Sequence, residues 1–340
     1  MNKGVSLALV GASGVVGSKI IQLLEKRAFP ISQFIPLGNS TVGSFIKLNN
    51  QEYKVESLEN FSPEKGQFVI FSAGSNIAEK YARDFVAAGS FVIDLSSNFR
   101  YEDDVPLIIP EINGEILKNL SKPSLISNPN CSTAQLLMAL KPIHDVAQIK
   151  FLNIATYQAV SGTGKAALEE LHNQIYFKES ENQSSVYPKQ IAFNVIPQCD
   201  IFLDNNFTKE EMKLTWETHK ILDPNIQVQA TCVRVPVFNG HSEAVFFRVS
   251  KEISREEIIK ILDRTPGLKV LDDPSSGDYP TPFENATDTE DVYVGRIRSQ
   301  SLDDDCWISM WIVADNVYGK GAALNAVQIC EELLNVGSVK

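Results

Sequence analysis

Apolar residues fall into short dense runs in the first part of the chain and longer runs further on. The two textures predict two kinds of sheet. Residues 5–10 (Val-Ser-Leu-Ala-Leu-Val) are nearly all apolar and of strand length, as in a strand buried on both faces. The runs at 68–71 (Phe-Val-Ile-Phe) and 91–94 (Phe-Val-Ile-Asp) repeat that pattern, with a helical pattern over 76–88 between them. Ile20, Ile21, Leu23 and Leu24 recur at helical spacing after the first run. Strands alternating with helices predict a parallel sheet with helices on both faces. After Lys150 the texture changes, and residues 151–158, 227–237, 244–249 and 307–314 read as longer strands. They predict a second domain with a mostly antiparallel sheet. Polar segments at 178–190 and 272–289 predict loops, and an apolar stripe over 322–334 predicts a closing helix. No internal repeat or low-complexity tract is present. The expected fold class is α/β: an N-terminal dinucleotide-binding domain of Rossmann type and a second α+β domain.

Between the first strand and first helix lies Gly11-Ala12-Ser13-Gly14-Val15-Val16-Gly17. Strand, glycine loop and helix in that order form the first unit of a dinucleotide-binding fold. Gly11 lets the chain turn, Gly14 lets the backbone approach a pyrophosphate at the helix start, and Gly17 permits close helix–strand packing. The spacing is G-x-x-G-x-x-G rather than the commoner G-x-G-x-x-G, and many tight turns before helices share it. Ser72-Ala73-Gly74-Ser75, after another strand, is a second candidate for the cofactor crevice.

Composition narrows the function classes. The chain has 340 residues, enough for two domains, and a net charge of −11. An acidic chain without a basic stripe is a poor partner for nucleic acid or an anionic membrane. Any anion it binds must be held by a few placed Arg and Lys residues. The five cysteines are odd in number and widely spaced, without a Cys-x-x-Cys pair. Neither a metal site nor a disulfide framework is expected, which fits a reducing cytoplasm. The apolar run to Val10 superficially imitates a signal peptide, but it leads into a glycine motif that needs a strand before it. No apolar stretch is long enough to span a membrane.

The strongest chemical signal is Asn128-Pro129-Asn130-Cys131-Ser132-Thr133, followed by an apolar helical pattern. Cys131 stands where a helix begins, where backbone N–H groups and the helix dipole stabilise a thiolate. That makes it a candidate nucleophile. A buried cysteine is the commoner fate of the residue, but an apolar core site has no use for so polar a turn. Gln158 precedes Ala159-Val160-Ser161-Gly162 and could donate its amide to a reacting carbonyl, although a solvated turn residue is the commoner reading. His144, His172 and His219 fall in polar helical contexts and are expected at the surface. Arg234 and His241 flank a strand end and a glycine turn. A carboxylate clamp with a proton-transfer group fits that spacing, and so, equally, does a surface histidine beside a hairpin. Arg100 lies in a Ser- and Asn-rich loop suited to phosphate. Glu210 and Lys213 share a helix face, usually the mark of a solvated ion pair.

Taken together, Asn128–Thr133, Tyr157–Gly162, the stretch from Arg234 to Gly240-His241-Ser242-Glu243, and Asp315-Asn316 resemble the aspartate-β-semialdehyde dehydrogenase family. The resemblance runs from the glycine loop to Asn325-Ala326-Val327-Gln328-Ile329. It implies NADPH-dependent reductive dephosphorylation of L-aspartyl 4-phosphate to L-aspartate 4-semialdehyde, a step toward lysine, threonine, methionine and diaminopimelate. By the same resemblance Cys131 forms a thioacyl enzyme, Gln158 orients the substrate, Arg234 holds its α-carboxylate and His241 is the general acid/base. Arg100 and Lys213 match phosphate-binding positions, and Glu210 matches an acidic residue facing the substrate amino group. Cofactor contacts are implied at Gly11, Ser13, Gly14, Val15, Val16, Ser40, Thr41, Ser161, Gly162 and Asn316. The implied domains are 1–130 with 315–340 for NADP, and 131–314 for catalysis and dimerisation. The implied partners are the small-molecule substrate, inorganic phosphate and a second copy in a homodimer. Ser40 stands where the family commonly has the arginine that holds the cofactor's 2′-phosphate; no acidic residue favours NAD instead, so NADP is the expected cofactor. The segment 315–321 is about one residue longer than the family pattern. N-acetyl-glutamyl-phosphate reductases use similar chemistry but usually carry glycine where this chain has Asn130. A non-catalytic paralogue would have lost the cysteine motif.

Overall fold

A computed structural model describes residues 4–120, 122–177, 185–302 and 305–336. The chain divides into two compact units, 1–129 with 322–340, and 130–321.

The first unit begins with β1 (Val5–Val10), α1 (Val15–Lys26) and β2 (Ile31–Gly38). A hairpin of β3 (Phe45–Leu48) and β4 (Gln51–Lys54) follows, then β5 (Glu56–Ser57), β6 (Phe68–Phe71), α2 (Ser75–Ala87), β7 (Phe91–Asp94), the one-turn α3 (Pro110–Asn113) and β8 (Leu125–Ser127). Six strands form a parallel sheet in the order β5-β2-β1-β6-β7-β8. β6 and β7 are buried at every position, which is why they read as unbroken apolar runs.

The second unit holds α4 (Cys131–Ala147), β9 (Ile149–Gln158), α5 (Lys165–Tyr176), α6 (Lys209–Ile221), β10 (Gln227–Arg234) and β11 (His241–Val249). It continues with α7 (Arg255–Asp263), β12 (Leu268–Val270), β13 (Val292–Leu302) and β14 (Asp305–Ala314). Its sheet runs β10-β9-β11-β14-β13-β12. The inner pairs are antiparallel, whereas both edge pairs, β10 with β9 and β12 with β13, are parallel. Helix α4 packs on one face of this sheet. The other face carries half-exposed aromatics, including Phe246 stacked on Trp307 with ring centroids 4.6 Å apart and Tyr157 against Trp311 at 5.4 Å.

Three boundaries differ from the sequence reading. The strand expected over 227–237 ends at Arg234, because Pro236 has no N–H for a ladder. The strand expected from 244 begins at His241, which pairs with Ala314. The chain returns to the first unit at Ala322 rather than at 315. Asp315 accepts bonds from the Val317, Tyr318 and Asp288 amides, which ties the intervening segment into the second unit. In the first unit α8 (Ala323–Asn335) then closes the chain, with Arg27 paired to Glu331 at 2.8 Å. Of the loop expected over 178–190, residues 178–184 lie outside the described residues, and 185–190 contain no helix or strand. The segment 272–289 is irregular apart from one π-helical turn, Pro282–Ala286. No described helix is long and apolar enough to cross a membrane, and no group of metal-ligating side chains occurs among the described residues.

Candidate active site

Cys131 is the first residue of α4, and Asn130 is its N-cap. The Asn130 carboxamide oxygen accepts from the Ser132 and Thr133 amides at 3.0 and 3.3 Å, satisfying two donors that a helix start leaves open. Helix α6 grips the same turn from outside. The Asn130 side-chain nitrogen donates to Glu210 at 2.9 Å, and the Asn130 backbone N–H donates to Glu217 at 2.6 Å. Cys131 is part-exposed while Asn130, Ser132 and Thr133 are buried. The thiol side of the turn is therefore its open side. A Cβ at Gly321 would lie 2.8 Å from the Cys131 Cβ and 2.6 Å from the Asn316 carbonyl oxygen, so only glycine lets the chain pass there.

Glu210 is the centre of the polar network. One of its oxygens accepts from Asn130 and, at 2.9 Å, from the Gln158 amide nitrogen. The other accepts from the Lys213 ammonium at 2.8 Å. Burial alone would raise this carboxyl, but Lys213 and the bonds from Lys213, Gln158 and Asn130 hold it down, to about 2. The Lys213 ammonium also reaches Asp200 at 2.8 Å. Glu210 and Lys213 are both buried, so the ion pair is not the solvated one that its spacing suggests.

Strand pairing brings in the remaining groups. Arg234 lies directly beside Gln158 in the parallel β10–β9 register. His241 opens β11 beside the same end of β9. Arg234 donates to the Ala159 carbonyl at 2.6 Å, and the Ala159 N–H donates to His241 Nδ1 at 3.0 Å. A Cβ on Gly162 would sit 3.3 Å from His241 Cε1 and Nε2 and 3.4 Å from Arg234 Nη1. His241 and Arg234 therefore meet over Gly162. His241 is 0 % exposed, which removes the surface-hairpin alternative. Gln158 is buried as well, not a solvated turn residue. Ser161 donates to the Asn316 side-chain oxygen at 3.1 Å, and the Gly240 amide donates to it at 3.0 Å. Four polar atoms here are buried without a partner: Gln158 Oε1, Arg234 Nε, His241 Nε2 and Asn316 Nδ2. Such atoms are expensive to leave unpaired unless a ligand completes them.

Of the other histidines, only His172 is exposed. His144 accepts from the Ile149 amide at 3.2 Å, and His219 bonds the Ile226 carbonyl at 2.8 Å. Both are half-buried and hold loops together, contrary to their expected place at the surface.

The first unit carries the glycine loop. Gly11 has φ +81° and turns the chain. Gly14 caps α1 with no side-chain bond, leaving the first helix amides accessible, and Val15 and Val16 begin that helix part-exposed. A Cβ at Gly17 would be 2.3 Å from the Gly11 carbonyl oxygen. These features fit a dinucleotide pyrophosphate. Ser13 and Thr41 hydroxyls meet at 2.9 Å, and Ser40 beside them is exposed. Arg100 also belongs to this unit. It is buried, and its guanidinium donates to the Leu95 carbonyl at 3.0 Å.

A family model described as the semialdehyde dehydrogenase NAD-binding domain matches residues 6–120, and one described as the semialdehyde dehydrogenase dimerisation domain matches 140–318. The aspartate-semialdehyde dehydrogenase of Legionella pneumophila is 46% identical over 98% of this chain and 96% of its own. The chain belongs to the aspartate-semialdehyde dehydrogenase family.

Solved members of this aspartate-semialdehyde dehydrogenase family share the fold. Aspartate semialdehyde dehydrogenase II of Vibrio cholerae, solved complexed with ASA, is 41% identical, with a TM-score of 0.91 over 98% of this chain and 99% of its own. The Candida albicans enzyme, solved with NADP, is 27% identical with a TM-score of 0.75, covering 99% of this chain and all of its own. Against that family background the sequence reading left out several residues that position the site: the N-cap role of Asn130, Glu217, Asp200, the Ala159 peptide and Gly321. The spacing of Glu210, Lys213 and Glu217 on one helix face was a visible signal for the second. The others follow from contacts distant in sequence.

Proposed function

We propose that this protein catalyses NADPH-dependent reductive dephosphorylation of L-aspartyl 4-phosphate to L-aspartate 4-semialdehyde. The carrying observation is a part-exposed cysteine at a helix start, held by Asn130 in one network with Gln158, Glu210 and Lys213. An acyl phosphate is already activated, so a thiolate can displace phosphate without a metal. Cys131 forms the thioacyl bond. Arg234, with an unpartnered Nε over Gly162, receives the substrate carboxylate. His241 is the general acid/base, and Glu210 and Gln158 orient the substrate. Lys213 receives phosphate.

In this reading the glycine loop with Ser13, Ser40 and Thr41 would hold the nicotinamide dinucleotide. When bound, it supplies the hydride. NADP rather than NAD is the cofactor in this reading: hydroxyls gather near the end of β2, where the sequence has no acidic residue to favour NAD. The family assignment supports a place in amino-acid biosynthesis, toward lysine, threonine, methionine and diaminopimelate, in the cytoplasm. The outer sheet face, with Tyr157, Phe246, Trp307 and Trp311, fits a homodimer contact, and the dimerisation-domain match supports it.

The test is the reverse reaction: L-aspartate semialdehyde, phosphate and NADP, followed at the reduced nicotinamide band. Turnover that disappears in Cys131→Ala is expected. Turnover surviving that change excludes the thioacyl route, and activity with N-acetyl-glutamate semialdehyde in its place reassigns the substrate.

A further inference from the structure

We propose that Asp200 is the counter-ion that phosphate displaces from Lys213: it pairs with the ammonium before phosphate binds and takes it back when phosphate leaves. The inference deepens the proposed function and rests on its assignment of phosphate to Lys213. It gives a positioning role to a residue outside that assignment.

The Lys213 ammonium lies 2.8 Å from an oxygen of Glu210 and 2.8 Å from an oxygen of Asp200. One cation thus faces two carboxylates, and the trio carries a net charge of −1. Burial works against the charge on Lys213, but Glu210 and Asp200 overcome it and push the amine above its ordinary range. Lys213 is therefore charged, yet its charge is more than matched. A dianion that approaches it comes within a few ångströms of two like charges, where repulsion in a part-buried setting is strong. Phosphate gains the full attraction of Lys213 only when one carboxylate moves away.

Glu210 is fixed. One of its oxygens accepts from both Asn130 and Gln158 at 2.9 Å, and the other holds Lys213. It stands three residues before Lys213 on α6, so the helix itself keeps the pair together. Turning it away would strand a carboxylate inside the protein, at high cost. Asp200 differs on each point. Its side chain is 31% exposed against 9% for Glu210. It comes from an irregular segment ahead of α6, and its carboxylate also accepts from the Ile201 N–H next to it, at 2.9 Å. Swung off Lys213, the Asp200 carboxylate enters water and pays little desolvation. Phosphate then takes its place on the ammonium.

The exchange swaps one anion for another, with no covalent bond made or broken. Its effect is to lower the affinity for phosphate by the fraction of enzyme in which Asp200 has moved clear. That serves the proposed reaction, because phosphate displaced by the Cys131 thiolate must then leave. The return of Asp200 to Lys213 favours its departure.

The test compares the wild type with Asp200→Asn and Asp200→Gly. Asp200 has φ +67°, and both replacements accept a positive φ. Binding of inorganic phosphate is read by ³¹P line broadening on the enzyme without semialdehyde or cofactor, and again as the KM for phosphate in the reverse reaction. Each variant should bind phosphate about tenfold more tightly, the lower end of what a bond to a charged group is worth, with little change in the KM for semialdehyde. A residue that merely propped Lys213 in place predicts the opposite sign, since its loss would loosen the ammonium and weaken phosphate. Phosphate bound no more tightly than by the wild type overturns the proposal; Asp200→Gly decides if Asp200→Asn loses its far-ultraviolet helical signal. The gain should vanish when Lys213→Ala is added, and a gain that survives this change also overturns the proposal. Lys213→Ala alone tests the underlying assignment. If it binds phosphate as the wild type does, phosphate does not belong to Lys213 and the proposal falls with that reading.

Discussion

Glu243 stands two residues beyond His241 on the same face of β11, fully buried, with the Gln135 side chain facing its carboxyl. Burial pushes this acid well above its ordinary range, so the folded protein holds a proton that the unfolded chain releases as pH rises. Its contribution is intact below about pH 4.5 and is lost progressively above that. Glu243→Gln should therefore raise Tm at pH 8 and change it little at pH 4, measured by calorimetry at both. A second prediction concerns Lys213, which the reading given above assigns to phosphate. Losing a bond to a charged group costs about 1.5–3 kcal/mol, roughly ten- to a hundredfold in binding. Lys213→Ala should raise the KM for phosphate by about that factor and the KM for semialdehyde far less; equal increases would leave Lys213 as a structural partner of Glu210 and Asp200. At this scale the sequence showed which residue types could do chemistry, but not how deep they lie. Arg234 with His241 was evenly balanced between pocket and surface. The β10–β9–β11 register decides it, by pairing residues far apart in the chain.

Asn130 serves two helices, capping α4 and donating to Glu210 and Glu217 of α6. Asn130→Ala removes the cap of α4, worth about 1 kcal/mol and up to about 2, and strips Glu210 of one donor. The expected outcome is a Tm drop of that size together with slower alkylation of Cys131 by iodoacetamide. A Tm drop with unchanged alkylation would mean that the cap holds the helix but not the nucleophile. Elements with a clear period or an unbroken apolar run were legible: β1, β6 and β7 fall at the residues expected. The eleven-residue β13 was not. Its register breaks between Gly295 and Arg298, and Arg296 adopts φ +52°, so the alternation that marks a strand is interrupted at a bulge. In β2, Pro36 disguises a strand of eight residues.

For the molecule as a whole, the outer sheet face is where a second copy is proposed to dock. Trp307 is stacked on Phe246, flanked by Phe151 at 5.9 Å and covered by Arg248. A carboxylate buried there would cost desolvation that Arg248, already paired with Asp305, offsets only in part, so Trp307→Glu should shift the sedimentation coefficient from dimer to monomer. A variant that sediments as the wild type places the interface elsewhere. Two units were legible from the change of texture after Lys150, but the point of return at Ala322 was not, because the bonds made by Asp315 and Asn316 are long-range. The second unit is an excursion of the chain, leaving at 129 and rejoining at 322. Its two ends come together at Cys131, where a side chain on Gly321 would strike the cysteine. Cys131 thus stands where the second unit's own two chain ends meet. Any strain that draws those two ends of the second unit apart is felt at Cys131, because its Cβ lies against Gly321. In a urea titration, turnover should vanish at lower denaturant than the far-ultraviolet helical signal; coincident curves would show that this closure is as firm as the unit it ends.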